Sequence, residues 1–342
     1  MKKTKKLLTT LLAAALMVSL VVGCDSKPAD EQSSEDDAAP KKNDMKDIKI
    51  GVSMYTLAGP YFAAQIKAIR RKAKKLGIKL VYTEAQNDMV RQLADVEDLL
   101  SQGIDLLILN PKDPQGLMPA TKAATEAGVP VIIMDSSIDP SADFITTVQA
   151  NNRANAELVG EWIARKIKGK SIKMALISGV QGNPVGKERR QGVFCGIIEQ
   201  QLRSAGSAGF EIVAQRWGDW NSEGGLKAME DILVAHPDIN VLLTEDDPMA
   251  LGAREAIKEA GKENDILIVG ASGGQKEALE LIKAGQYGAT AINNPTLIAE
   301  TALEIGLKVL AGETKFPKVL YTPTVCITRE NVDRYYDPNA DF

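Results

Sequence analysis

The side chains with chemistry to offer sit in short polar stretches between apolar runs. Tyr61 and Phe62 follow Gly59-Pro60, and Asp135 and Ser136 follow the run Val129–Met134. Asn151 and Asn152 come after a second extended run, Phe144–Val148, and Arg189 lies in GNPVGKERR, Gly182 to Arg190. Trp217 and Trp220 flank Gly218-Asp219, Asp246 is the middle acid of Glu245-Asp246-Asp247, and Asn293 precedes Asn294. Carboxylates accept hydroxyl protons, amides donate and accept, and arginine offers a rigid fork of donors. Aromatic faces cover apolar C–H surface. Together these groups suit a small ligand rich in hydroxyls. Singly, each has a plainer role, since an Asp at a strand end caps a helix about as often as it meets a ligand. The glycine spacing of GNPVGKERR fits neither nucleotide-binding motif. Of the two tryptophans, Trp217 is nearer the strand and is the better candidate for the core.

These stretches must be held by the elements around them. Val129–Met134 is almost unbroken apolar sequence, which suits a strand buried on both faces of a parallel sheet. In open parallel sheets, ligands bind beyond the carboxyl ends of the strands, where Asp135 stands. From Ile48 onward strand and helix patterns alternate. Strands are expected over Ile48–Met54, Lys79–Thr83 and Ile104–Leu109, then over Ile172–Ile177, Glu211–Gln215, Val241–Leu243, Ile266–Val269 and Tyr287–Ile292. Repeated units of this length imply parallel sheets with helices on both faces. The fold class is therefore α/β, with two doubly wound parallel-sheet lobes joined by several hinge crossings. The first lobe is expected over 48–150 with 294–322, the second over 151–293 with 323–335, and a tail over 336–342. The helix Pro295–Leu310 and one strand over Val319–Ile327 remain to complete the first lobe if the chain crosses back near Asn293.

The whole chain has 342 residues, 44% of them hydrophobic, enough for two folded domains. The first 23 residues carry Lys2, Lys3, Lys5 and Lys6 and no acid, followed by the apolar stretch Leu7–Val22, the layout of a signal peptide. Its removal takes the net charge from −4 to about −8, which argues against a nucleic-acid partner. Residues 24–47 are rich in Ser, Pro, Ala and charge, as a flexible linker is. One histidine, His236, and three cysteines give no basis for a metal cluster. Cys195 and Cys326 are expected as buried thiols.

Two resemblances refine this reading. Leu20-Val21-Val22-Gly23-Cys24 resembles the bacterial lipoprotein cleavage box, which implies lipidation of Cys24 and a protein anchored outside the cytoplasmic membrane. From Ile48 to about Ile327 the chain resembles the type I periplasmic binding proteins of sugar ABC transporters, in the ribose-binding-like branch. The segments GPYFAAQIKAIRRKAKKLG, LLSQGIDLLILNPKDPQGL, VPVIIMDSS, AHPDINVLLTEDDPMALGAREAIKEAG and ILIVGASGG carry it. The resemblance implies a monomer without cofactor or catalytic residue that passes a sugar or polyol to an importer permease. It implies that Tyr61, Phe62 and Trp220 enclose the ring, that Asp135 and Arg189 bind its hydroxyls, and that Asn151, Asp246 and Asn293 add polar contacts. Ser136 stands where ribose binders have an arginine, and Ser272 where they have an aspartate. Both changes remove charge, which leaves a hexose, another pentose, a furanose form or a polyol equally open. A receptor for a sugar-like signal would share this fold and site. A secreted carbohydrate-active enzyme, with Asp135 and Asp246 as its carboxylate pair, is the more distant alternative.

Overall fold

The computed structural model describes residues 47–342. The signal-peptide stretch, Cys24 and the linker as far as residue 46 lie outside the described residues. The chain first builds β1 (Lys49–Met54), α1 (Pro60–Leu76), β2 (Lys79–Glu84), α2 (Met89–Ser101), β3 (Leu106–Asn110), α3 (Met118–Glu126), β4 (Val131–Met134) and β5 (Thr146–Ala150). It then crosses into α4 (Asn152–Lys166), β6 (Lys173–Ser178), α5 (Pro184–Ala205), β7 (Glu211–Trp217), α6 (Ser222–Ala235), β8 (Val241–Thr244), α7 (Asp247–Glu259), β9 (Leu267–Gly270), α8 (Lys276–Ala284) and β10 (Ala289–Ala291). It returns through α9 (Pro295–Leu310) and β11 (Val319–Thr322), and crosses again into β12 (Cys326–Thr328).

The strands form two six-stranded sheets, ordered β11-β5-β4-β3-β1-β2 and β12-β10-β9-β8-β6-β7. All pairings in the first are parallel, and in the second only β12 runs antiparallel, against β10. The expected single strand over Val319–Ile327 is two strands, one in each sheet. Pro323 has no N–H to continue a ladder, and the chain changes sheet there.

Burial explains why these strands read as apolar runs. All four residues of β4 are buried. Ile132 and Met134 pack with Ile69, Ile298 and Leu303 on one face, while Val131 and Ile133 pack with Val96, Leu99 and Ala124 on the other. The second sheet repeats this, with Leu242 against Met229, Ile257 and Ile282, and Val241 and Leu243 against Val159, Ile163 and Ile197. Successive side chains point to opposite faces, so a strand covered on both sides needs apolar residues at every position. Helix α9 completes the first core although it lies late in the chain. Burying Ile298 and Leu303 there stabilises the lobe by about 1.5–3 kcal/mol each. Cys195 and Cys326 are half-buried rather than fully enclosed, and burial pushes the Cys326 thiol up to about 12.

The crossings are pinned by one side chain. Asn155, fully buried on α4, donates its amide to the Ile292 carbonyl (2.8 Å) and accepts from the Val325 N–H (3.0 Å). The connections after β10 and before β12 are thereby tied to the helix that begins the first crossing.

Candidate functional site

The carboxyl ends of the two sheets face each other across a cavity of about 240 Å³. Tyr61, Phe62, Asp135, Ser136, Arg189, Trp220, Asp246, Ser272 and Asn293 all line it. Asn151 does not. Its side chain caps α4, accepting from the Ala154 N–H at 3.0 Å, and the neighbouring Asn152 lines the cavity instead.

The first lobe supplies an aromatic wall. Gly59 adopts φ 89°, a left-handed conformation that favours glycine, and Pro60 starts α1 immediately after it. This places Tyr61 and Phe62 in the first turn, at the rim of the sheet. Their rings meet edge to face at 5.3 Å, and Tyr55, at the end of β1, meets Phe62 in the same way at 5.1 Å. The opposite lobe supplies Trp220. Asp219 and Trp220 both have positive φ, 51° and 57°, in the tight turn between β7 and α6. The indole lies on Gly179, where an added Cβ would come within 1.9 Å of the ring, so only glycine admits it. Trp217, expected in the core, is 39% exposed, because β7 is the edge strand of its sheet.

Polar groups fill the space between. Asp135 follows β4 with φ 67°. Its Oδ1 accepts from the Tyr61 hydroxyl at 2.6 Å and its Oδ2 from the Asn110 amide at 3.4 Å. Burial raises its proton affinity, while the hydrogen bond from Tyr61 and the charge of Arg189 oppose the rise. The Tyr61 hydroxyl also lies 2.9 Å from Asn293 Oδ1. It has one proton, so it serves one acceptor at a time and leaves the other for a ligand hydroxyl.

Arg189 is 7% exposed. Its Nε donates to Asn152 Oδ1 (3.1 Å), its Nη1 to the Glu245 carbonyl (3.0 Å), and its guanidinium lies 5.7 Å from the Trp220 ring centre. The α4–α5 contact that sets this geometry is very close. A Cβ at Gly192 would lie 2.4 Å from the Arg153 carbonyl oxygen, and one at Gly196 would lie 2.0 Å from that of Glu157. A buried guanidinium favours ionised acids near it, and Arg189 opposes the rise in proton affinity that burial gives Asp135 and Asp246. Asp246 caps α7, accepting from the Met249 N–H at 3.0 Å. Burial pushes its carboxyl up to about 7, the Met249 N–H and Arg189 hold it down, and Asp247 and Glu245 add to the rise. Beside it the Ser272 hydroxyl is buried with no hydrogen-bond partner, a polar group that a ligand could satisfy. Asp247 is structural. It accepts from Tyr287, Thr290 and the Gly274 and Gln275 N–H groups, and so fixes the loop that carries Ser272.

Tyr55, Asn183 and Phe342 also line the cavity without having been singled out in the sequence. Asn183 had a detectable signal, since Asn-Pro before a helical pattern marks an N-cap. Among the described residues no group of three His, Cys, Asp or Glu could hold a metal ion.

Two parallel-sheet lobes with a polar and aromatic cleft between their carboxyl edges define a two-lobed solute-binding protein. Comparison with known proteins gives the family: a model for the periplasmic binding protein domain matches residues 50–314. The ribose import binding protein RbsB of Bacillus subtilis (strain 168) is 36% identical over 320 residues, covering 93% of this chain and 97% of that protein. An ABC transporter periplasmic solute-binding protein from Actinobacillus succinogenes, with bound D-allose, superposes with a TM-score of 0.76 at 27% identity, covering 84% of this chain and 100% of that one. The Caulobacter myo-inositol binding protein superposes with a TM-score of 0.74 at 28% identity, covering 84% and 95%. The chain belongs to the type I periplasmic binding proteins, in the ribose-binding-like branch of sugar ABC transporter substrate-binding proteins. It is a solute-binding protein and not an enzyme.

Proposed function

We propose that the protein captures a single sugar ring or cyclic polyol in its interlobe cleft, outside the cytoplasmic membrane, and delivers it to an ABC importer. The observation that carries this reading is the pairing of aromatic walls from opposite lobes with hydroxyl-matching groups between them. Phe62 and Tyr61 on one side and Trp220 on the other cover the ring's C–H faces. Asp135 and Asp246 accept hydroxyl protons, Arg189 donates, and Ser136, Asn152, Ser272 and Asn293 complete the set. Ser136 and Ser272, where ribose binders have an arginine and an aspartate, leave the cleft with fewer charged contacts, which suits a ring other than ribose. The D-allose and myo-inositol bound to the two similar structures are ligands of this kind.

In this reading the lobes comprise 48–150 with 294–322, and 151–293 with 323–335. They rotate about the crossings at 150–152, 292–294 and 323–325, and closure brings both walls onto the ligand. Lipid on Cys24 keeps the protein at the membrane beside its permease, and residues 24–47 act as the tether. Calorimetric titration with D-ribose, D-allose, L-arabinose and myo-inositol tests the proposal. At least one is expected to bind with micromolar or tighter affinity, and Arg189→Ala is expected to abolish it. Silence across this panel and a wider set of hexoses and polyols would sink the sugar reading.

A further inference from the structure

Residues 336–342 follow the second lobe and read as a tail, yet the structure gives them both lobes to hold. Tyr336 donates its hydroxyl to Glu280 on α8 (2.9 Å), and Lys276, also on α8, donates to the Pro338 carbonyl (2.7 Å). Within the segment an Asp337 turn is closed by the Asn339 N–H on the Asp337 carboxylate (2.8 Å). Asp341 then reaches the first lobe, where it pairs with Lys67 and Arg71 of α1. Helix α1 is the element whose first turn carries Tyr61 and Phe62.

The burial along this segment changes abruptly. Asp337 to Asp341 are exposed, and Phe342 is half-buried. Its ring meets the Tyr61 ring edge to face at 5.3 Å, extending the chain of aromatic contacts that runs through Phe62 to Tyr55. Phe342 also stands between two cavities. It lines the ligand cleft and, together with Gly273, a neighbouring space of about 220 Å³ beneath the segment. Phe342 and Gly273 are the residues that the two spaces share.

We propose that Asp337–Phe342 is a strap from the second lobe to the first, and that Phe342 is a ligand-contacting residue that limits the size of the ligand. The inference rests on the sugar-capture reading of the cleft and adds a wall to it. A phenyl ring adds apolar contact against the ligand and closes off the space that a larger ligand would need. The Asp341 pairs with α1 hold the ring in register.

The test is calorimetric titration of the full chain, Phe342→Ala and Asp341→Lys with D-ribose, D-allose and myo-inositol. Phe342→Ala should weaken the best-bound probe by about tenfold, the effect of a moderate contact residue, and narrow its margin over the larger probes. Asp341→Lys, which keeps the ring but repels Lys67 and Arg71, should shift affinities in the same direction. Thermal melts of the ligand-free variants check that each is folded. If both folded variants keep the affinities of the full chain within about twofold, while Arg189→Ala abolishes binding, the strap inference alone is overturned. A full chain that binds no probe overturns the sugar reading and this inference together.

Discussion

The Tyr61 hydroxyl lies 2.6 Å from Asp135 Oδ1 and 2.9 Å from Asn293 Oδ1. It thus joins the end of a first-lobe strand to the return crossing from the second lobe. Tyr61→Phe removes the proton that the phenol offers to these two acceptors. Loss of a hydrogen bond to a buried charged group costs about 1.5–3 kcal/mol. The variant should remain folded, and its best sugar ligand should bind at least tenfold more weakly by calorimetry. Unchanged affinity would mean that the phenol only packs.

Trp220 provides a second test, because its seat is specified by a missing atom. Trp220→Ala should weaken ligand binding by about 2 kcal/mol or more, as loss of an aromatic anchor does. The ring also packs against the second-lobe core, so stability should fall too, though by less than the roughly 3–5 kcal/mol of a fully buried tryptophan. Gly179→Ala leaves the indole in place chemically but puts a methyl group into it. It should reproduce the binding loss at an overpacking cost of about 1–3 kcal/mol. Normal affinity in Gly179→Ala would show that the indole can move without consequence.

Asp246 makes the ligand-free protein sensitive to pH. Its carboxyl takes up a proton near pH 7 when folded, against about 3.9 in an unfolded chain. Between these values the folded state holds more protons, so this group's contribution is complete below about pH 4 and is lost as pH rises through about 7. Asp246→Asn does not titrate. Asp135 and Asp247 are raised in the same direction and remain in both proteins. Urea melts of the two proteins at about pH 5, 6 and 8 should therefore show the variant gaining relative to the parent as pH rises. A constant difference across that window would remove Asp246 as the cause.

Cys24→Ala tests the proposed lipid anchor separately from the cleft. The variant should bind the same ligand with the same affinity and leave the membrane fraction, since an acyl chain contributes about 0.8 kcal/mol per buried methylene. Retention on membranes in high salt would place the attachment elsewhere.

Residues at the ends of apolar runs could be located from sequence, because a strand buried on both faces announces where it stops. Asp135 after Met134 and Asp246 after Thr244 were found that way. Asn151 is the amide expected in the cleft and Asn152 is the one that stands there, since which of two adjacent amides turns back to cap a helix depends on backbone angles. Trp217 was misplaced because strand order, which puts β7 at an edge, leaves no mark in a local pattern. Gln65 and Asn110, buried behind Asp135, sit inside an ordinary helix and an ordinary strand and show their role only in three dimensions. Phe342 follows a stretch with no periodicity, and its partner Tyr61 is distant in the chain.

The order of strands has a consequence for how the protein is made. In the first sheet β5 waits for its outer neighbour β11, and β4 and β5 wait for α9 to cover Ile132 and Val148. Both late elements follow the whole of the second lobe in the chain. A chain that has emerged only as far as residue 150 is therefore an incomplete lobe with an open strand edge and an uncovered apolar face. Pairings between segments so distant in sequence form slowly, and exposed edges of this kind aggregate. The second lobe's parallel strands and helices are nearly contiguous, with only β12 arriving late. It can collapse first, after which α9 and β11 return to close the first lobe against α1, β4 and β5. Variants that destabilise α9 should therefore lower the yield of folded protein more than its equilibrium stability.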